Sequence, residues 1–450
     1  MIPTQEVYGG VLPGVVLFLA LLVVVLAVIG YRSLQLYRYL RLGKEDDRFD
    51  GLPGRTAFAL TRVVGQICSL RSVRPPRDWA GLGHFLIFYG FLFFVVSYLI
   101  IFAEVLIPGF TLGTLGDGFA RYFSFILDSM GLLVMLALVW AALRRYVMRP
   151  ERLEPTMEAA IILGFIFSLM AANFLMEAFR ISLMREPWGS WSYVGAAMSS
   201  GLDGMRLSPA SLQLGFNLFW WLHMVLVLGF GVYIFYSKHL HVPVSLPNII
   251  LRSSRPKGAL APIRDLEKQE TFGVNRIGEF TWKQLLDLYA CTECGRCQAN
   301  CPAYLSGKPL SPKKVVLDLK HHLLDNGPQL VKAAQKGAKD ELPIIGKTIL
   351  EDELWACTTC RACMYQCPVL IEHIDKIVDM RRNLVLMESR FPEAAMNALR
   401  SVETRGHPWR GTQASRTDWT KGLEVKVLAQ DAKIDILYWV GCTAALEDRN

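Results

Sequence analysis

Cys291, Cys294, Cys297 and Cys301 lie in the stretch CTECGRCQANCP, and Cys357, Cys360, Cys363 and Cys367 repeat their spacing in CTTCRACMYQCP. Each run reads C-x-x-C-x-x-C-x-x-x-C-P. Three thiolates on one tight loop can cap a cubane of iron and sulfide, while the fourth, leading into a helix, reaches a second cluster. The expected sets are Cys291, Cys294, Cys297 and Cys367 for one 4Fe–4S cluster, and Cys357, Cys360, Cys363 and Cys301 for the other. Zinc is the competing metal, since paired C-x-x-C can form a ribbon. Zinc takes four ligands in two pairs, however, not two runs of four each closed by proline. The thiolates must stay reduced, which predicts a cytoplasmic location for this region.

Four of the eight histidines fall in or beside apolar stretches: His84, His223, His239 and His241. Imidazole is a common axial ligand of haem iron, and ionisable groups within a bilayer are costly and usually functional. His223 and His241 are 18 residues apart, roughly 27 Å along a helix at ~1.5 Å per residue. They cannot share one iron but could serve irons near opposite membrane faces. His84 falls at the level of His239 and His241, so a haem b held by His84 and His241, or His239, is the simplest pairing. One or two haems are compatible with this set. His321, His322, His373 and His407 read as surface or packing residues.

These groups need elements to position them. The chain has 450 residues, 52% hydrophobic and 20% charged, with a net charge of +8. Its apolar residues concentrate in five stretches, near 11–31, 82–103, 121–143, 157–180 and 211–237, each long enough to cross a hydrocarbon layer of about 30 Å. Lys and Arg set the orientation. The segment 32–80 carries ten of them, including Arg32, Arg48, Arg55, Arg71, Arg74 and Arg77, and the next loop carries Arg144, Arg145, Arg149 and Arg152. Residues 1–10 and 105–120 have none. The N-terminus is therefore expected outside, and everything after residue 237 in the cytoplasm. Because the arginines flank apolar spans, nucleic acid is excluded as the partner, and lipid is expected instead. No glycine-rich nucleotide fingerprint occurs in a strand–helix setting. Among membrane-embedded polar groups, Glu104, Asp128, Asn173, Glu177 and Arg180 stand out; Glu177 and Arg180 share a helix face and can pair.

The predicted fold is mainly α: a five-helix transmembrane cytochrome b bundle, then a cytoplasmic α-helical ferredoxin domain, then the truncated start of an α/β cysteine-rich domain. The boundaries are 1–245 for the bundle, 246–280 for a linker packed beneath it, 281–400 for the twin-cluster domain and 401–450 for the remainder. PLSPKKVVLDLKHHLLDNG reads as a helix with proline near its start, and the stretch after Cys367 as helix interrupted at Pro392. KIDILYWVGCTAALEDRN reads as a buried strand, a Gly-Cys turn and a helix start. This stretch resembles the opening of the cysteine-rich domain in heterodisulfide-reductase-related oxidoreductases, and the resemblance implies that Cys442 is a ligand of a C-terminal cluster; Cys68 has no evident partner.

Over residues 1–245 the chain resembles the cytochrome b subunit of respiratory nitrate reductases. That family commonly holds two haems with two histidines from each of two spans. Here Phe94, ten residues past His84, stands where a second ligand is expected. The whole order, from cytochrome b through twin clusters to a Gly-Cys strand, resembles the fused membrane iron–sulfur oxidoreductases related to heterodisulfide reductase. Some of these look like electron-transfer-flavoprotein:menaquinone oxidoreductases. The resemblance implies electrons passing from reduced electron-transfer flavoprotein through the clusters and haem b to menaquinone in the cell's inner membrane. Two other readings are open: a quinol-driven reductase of a disulfide or sulfur substrate, and a non-catalytic relay and anchor subunit. Catalytic residues and a quinone site are not legible.

Overall fold

The computed structural model describes residues 3–8, 12–71, 73, 79–107, 109–263, 265–338, 342–409, 411–429, 433 and 435–447. Arg74 and Arg77 of the basic segment lie outside these. Two compact units are present, residues 1–262 with 275–377, and residues 263–274 with 378–450.

Five helices of the first unit are long and apolar enough to cross a membrane: Gly14–Leu40, Ala80–Leu106, Asp117–Met148, Met157–Met184 and Pro209–Tyr236. Each matches one expected span, and the first extends well past its predicted end at residue 31. Leucines and valines such as Val23, Leu99, Leu214 and Leu218 point outward, the arrangement that lipid rather than water tolerates. The interior is aromatic. Phe18, Met176, Phe216, Trp220 and Met224 form one packed cluster, and Phe94, Val134, Leu138, Leu169 and Met170 another. Phe94 is thus a core residue.

The ionisable groups Glu104, Asp128, Glu177 and Arg180 of the spans find partners inside the bundle, as low dielectric demands. Arg180 donates to both Glu177 oxygens at 2.9 and 2.7 Å, and also meets Glu186. Asp128 accepts from the backbone N–H of Val194 at 2.7 Å, and Glu104 from that of Leu112 at 2.9 Å. The expected Glu177–Arg180 pair is therefore present.

The part of the first unit outside these five helices is also helical. Ser311 caps the helix Pro312–Gln335 by accepting from the Lys314 N–H at 3.2 Å, with Pro312 at the first helical position, where a missing N–H costs nothing. The segment expected as linker begins with a further helix, His241–Ile250. It is pinned to the cluster-bearing region: the Asn248 side chain donates to the Val369 carbonyl at 3.0 Å. The first span joins the same region. Its Tyr39 is buried against Gly327 of the long helix, where a Cβ would collide with the phenol ring. Beyond the span, Lys44 exchanges backbone hydrogen bonds with Phe280 and Trp282 at 2.7 and 3.0 Å.

A five-residue ion network is sealed in this region. Asp287 accepts from Lys283 at 2.7 Å and from Lys376 at 2.5 Å, and all three are at most 1% exposed. Its second oxygen also accepts the Glu372 N–H at 3.1 Å, while Glu372 takes a two-pronged contact from Arg48 at 3.1 and 3.0 Å. Burial pushes the Asp287 carboxyl up, but the two lysines outweigh it and hold the group well below the usual carboxylate range.

The second unit holds the helix Glu393–Arg405, begun at Pro392 as expected, and the short helix Cys442–Leu446. Here one expectation is corrected. Residues 435–440 form no strand and pair with none among the described residues, and Ile436 and Trp439 are 85% and 87% exposed. A segment without a neighbouring strand has no ladder to join and no second layer to bury its apolar face. Cys442 stands within 3.3 Å of the Arg416 guanidinium, not beside another cysteine.

Candidate iron–sulfur and haem sites

The helix Trp282–Ala290, capped by the Thr281–Gln284 box, ends by presenting Cys291. The chain then turns through two left-handed residues, Glu293 (φ 55°) and Gly295 (φ 70°), before the short helix Arg296–Ala299. The second run repeats this path. After the helix Glu351–Trp355 come Cys357, then left-handed Thr359 (φ 52°) and Arg361 (φ 64°), then the helix Ala362–Gln366. Left-handed turns two and four residues past the first cysteine aim backbone N–H groups inward, toward where anions sit. The Thr359 N–H lies 3.4 Å from Cys357 Sγ, and the Ile371 N–H 3.3 Å from Cys367 Sγ.

The fourth cysteines cross over. Cys291, Cys294, Cys297 and Cys367 line one cavity, together with Lys313 and His373. Cys357, Cys360, Cys363 and Cys301 line a second, against Leu310 and Ile377. Among the described residues no three such side chains converge on a point where one ion could be held. Sulfurs spread around a cavity suit a cluster, in which each thiolate holds a different iron. Burial, with neighbouring cysteines, pushes Cys291 and Cys363 up to about 12 and Cys297 and Cys367 well above the usual thiol value. Thiolates held there need the positive charge of bound iron.

His373 went unrecognised in the sequence. It is buried, lines the first cavity, and its Nδ1 lies 3.0 Å from the Ile371 carbonyl. Burial, with Lys376 nearby, drives it down to about 4, so it is neutral. Nothing in its spacing marks it; it reaches the cavity because Cys367 and Pro368 turn the chain back.

Just past the end of the span Pro209–Tyr236, the His239 and His241 rings are 5.5 Å apart, and His84 is within electrostatic reach of both. His241 Nδ1 donates to the Lys238 carbonyl at 2.8 Å, leaving Nε2 as the face that could meet a metal. The buried Nδ1 of His239 has no partner among the described residues. These three histidines fit an axial role. His223 is placed differently: it is fully buried, with Nδ1 3.2 Å from the Leu169 carbonyl and Nε2 3.5 Å from the Tyr98 hydroxyl. Both of its nitrogens are engaged by the bundle itself.

The cysteine region matches a family model described as a 4Fe–4S dicluster domain over residues 287–371. Over 449 residues the chain is 32% identical to the probable iron–sulfur-binding oxidoreductase FadF of Bacillus subtilis, covering 92% of this chain and 62% of that protein. It is likewise 32% identical to the EtfAB:quinone oxidoreductase of Syntrophomonas wolfei, with 86% of this chain and 58% of that protein covered. It is 31% identical over 165 residues to one of the subunits of the dihydromethanophenazine:CoB–CoM heterodisulfide reductase of Methanosarcina barkeri, with 36% of this chain and 38% of that protein covered. The chain thus spans less than two thirds of the length of these relatives. No solved structure matches. The twin cysteine runs, the five spans and these likenesses agree: the chain is a membrane iron–sulfur protein similar over most of its length to iron–sulfur oxidoreductases and, over a shorter stretch, to a heterodisulfide reductase subunit.

Proposed function

We propose that this protein passes electrons from a soluble cytoplasmic donor, through two 4Fe–4S clusters and haem b, to menaquinone in the inner membrane, with its N-terminus outside. The donor that fits is reduced electron-transfer flavoprotein, the partner in the name of the Syntrophomonas relative, with acyl-CoA oxidation as its source in this reading. The observation carrying this reading is the seating of the cysteine cavities on the histidine-bearing end of the spans. In this assignment residues 1–245 form the quinone- and haem-bearing part and 281–400 the cluster-bearing part. When bound, clusters and haem supply one-electron carriers. The chain supplies eight thiolates, the inward N–H groups at Thr359 and Ile371, and imidazoles in one tautomer.

The test is to quantify haem b and iron in the detergent-extracted chain, with a reduced-minus-oxidised spectrum. One haem and about eight irons are expected, two clusters of four. His241→Ala is expected to abolish the haem spectrum and the reduction of a menaquinone analogue, while His223→Ala keeps the haem. A chain without haem would sink the cytochrome reading. Likeness to the Methanosarcina heterodisulfide reductase favours one rival, electrons flowing from quinol to a disulfide substrate. Disulfide-dependent quinol oxidation by the purified protein would establish that direction instead.

A further inference from the structure

The two cysteine loops differ in what covers them. Around the first, residues from the membrane-spanning part close in. Arg152 donates to the Cys294 carbonyl at 3.1 Å, and the left-handed Gly295 packs on the Arg152 backbone so closely that no side chain would fit. Arg296 donates to the Cys68 and Ser69 carbonyls at 2.7 and 3.4 Å. Around the second loop, Thr358, Thr359 and Cys360 are exposed, and Tyr365 is 59% exposed.

The rim of that exposed loop is basic. The Arg71 guanidinium stands 4.7 Å from the centre of the Tyr365 ring and donates to the Tyr365 carbonyl at 3.4 Å. Arg361 donates to the Pro256 carbonyl at 3.4 Å, beside the exposed Lys257. Neither arginine meets a carboxylate among the described residues. A cation held over an aromatic ring, with its charge uncompensated, is the make-up of a surface that draws in an anionic partner. Tyrosine and arginine are also the residues that protein interfaces favour.

We propose that the rim formed by Arg71, Lys257, Arg361 and Tyr365 is the docking face for a soluble, acidic electron carrier. The edge at Cys360 is then the port nearest solvent and the covered first loop the one nearest the membrane. One electron leaves the reduced carrier and arrives at the Cys360 side; no bond is made or broken. This rests on the electron-transfer reading above and adds to it where the partner sits and what charge its face carries.

The experiment uses the full chain in nanodiscs of zwitterionic lipid, with cluster bleaching followed by stopped flow. Three reductants are compared: reduced electron-transfer flavoprotein, the dithionite radical anion and the methyl viologen radical cation. Arg361→Glu and Lys257→Glu together are expected to slow reduction by the flavoprotein about tenfold or more at low salt, with the difference shrinking as salt screens the rim. The same variant is expected to slow the small anion relative to the small cation. Lys257→Glu alone, at a side chain in solvent, guards against misfolding, and iron content checks the clusters. If the flavoprotein fails to reduce the unaltered chain while both small reductants succeed, the donor assignment falls, and the anion-to-cation ratio still decides the rim. Unchanged rates in the variants overturn the docking face. So does a variant effect that appears only with anionic lipid in the disc, which would make the rim a membrane contact.

Discussion

Asp287→Ala is expected to cost about 3–5 kcal/mol, the range for removing one partner from a buried charge network. The reason is what stays behind. Lys283 and Lys376 are both sealed from water and both aimed at Asp287, so its loss leaves two buried ammonium groups without the carboxylate they contact, and Glu372 is already engaged by Arg48. Asp287→Asn keeps the shape and is expected to fall almost as far, which separates lost charge from lost packing. Because folding lowers the Asp287 value, its contribution is present above the unfolded aspartate value of about 3.9 and is lost only as pH falls through the lower folded value. The penalty should therefore be the same at pH 6 and pH 8. Thermal unfolding and limited proteolysis of the purified protein would check this; a variant as stable as the unaltered chain would show the network to be dispensable.

Cysteine pairs give the second large effect, and it depends on partner choice rather than on number. Cys291→Ser with Cys367→Ser removes two ligands from the same cavity, although the residues come from different runs. Iron is expected to fall from about eight to about four per chain, with one cluster's signal intact by electron paramagnetic resonance. Cys291→Ser with Cys301→Ser stays within one run but strikes both cavities, and both signals should weaken. If the within-run pair instead spared one cluster, each run would hold its own, and the crossover would be wrong.

Much of this architecture was legible because its signals are local. The cysteine spacing repeats within twelve residues each time, and the spans announce themselves by length. The Ser311–Pro312 helix start and the interruption at Pro392 are likewise written in neighbouring residues. The ion network was not legible. Lys283 and Asp287 are four apart on one helix, a spacing that usually means an exposed pair, and Lys376 joins them from 89 residues away. His373 has the same origin: it lies beside the cavity only because the chain doubles back after Cys367. His223 is a different case: its place deep in a span is legible from sequence, but the Leu169 carbonyl and Tyr98 hydroxyl beside it are not. The stretch 435–440 has strand composition, but composition cannot supply the neighbouring strand.

The first helix runs 27 residues, about 40 Å at 1.5 Å per residue, against a hydrocarbon layer of about 30 Å. Its surplus turns carry Leu36, whose carbonyl accepts from the Tyr289 hydroxyl at 3.4 Å, and Tyr39 on Gly327. That rod, together with the helix His241–Ile250 held at Val369 and Arg152 held at Cys294, sets the standoff between the cysteine cavities and the lipid, rather than the loop at 252–262. Lengthening the loop should leave the standoff unchanged. Deleting one turn of the rod would shorten the strut by about 5.4 Å and twist its upper end, and a thicker or thinner bilayer would load it as a lever through the tilt of the span.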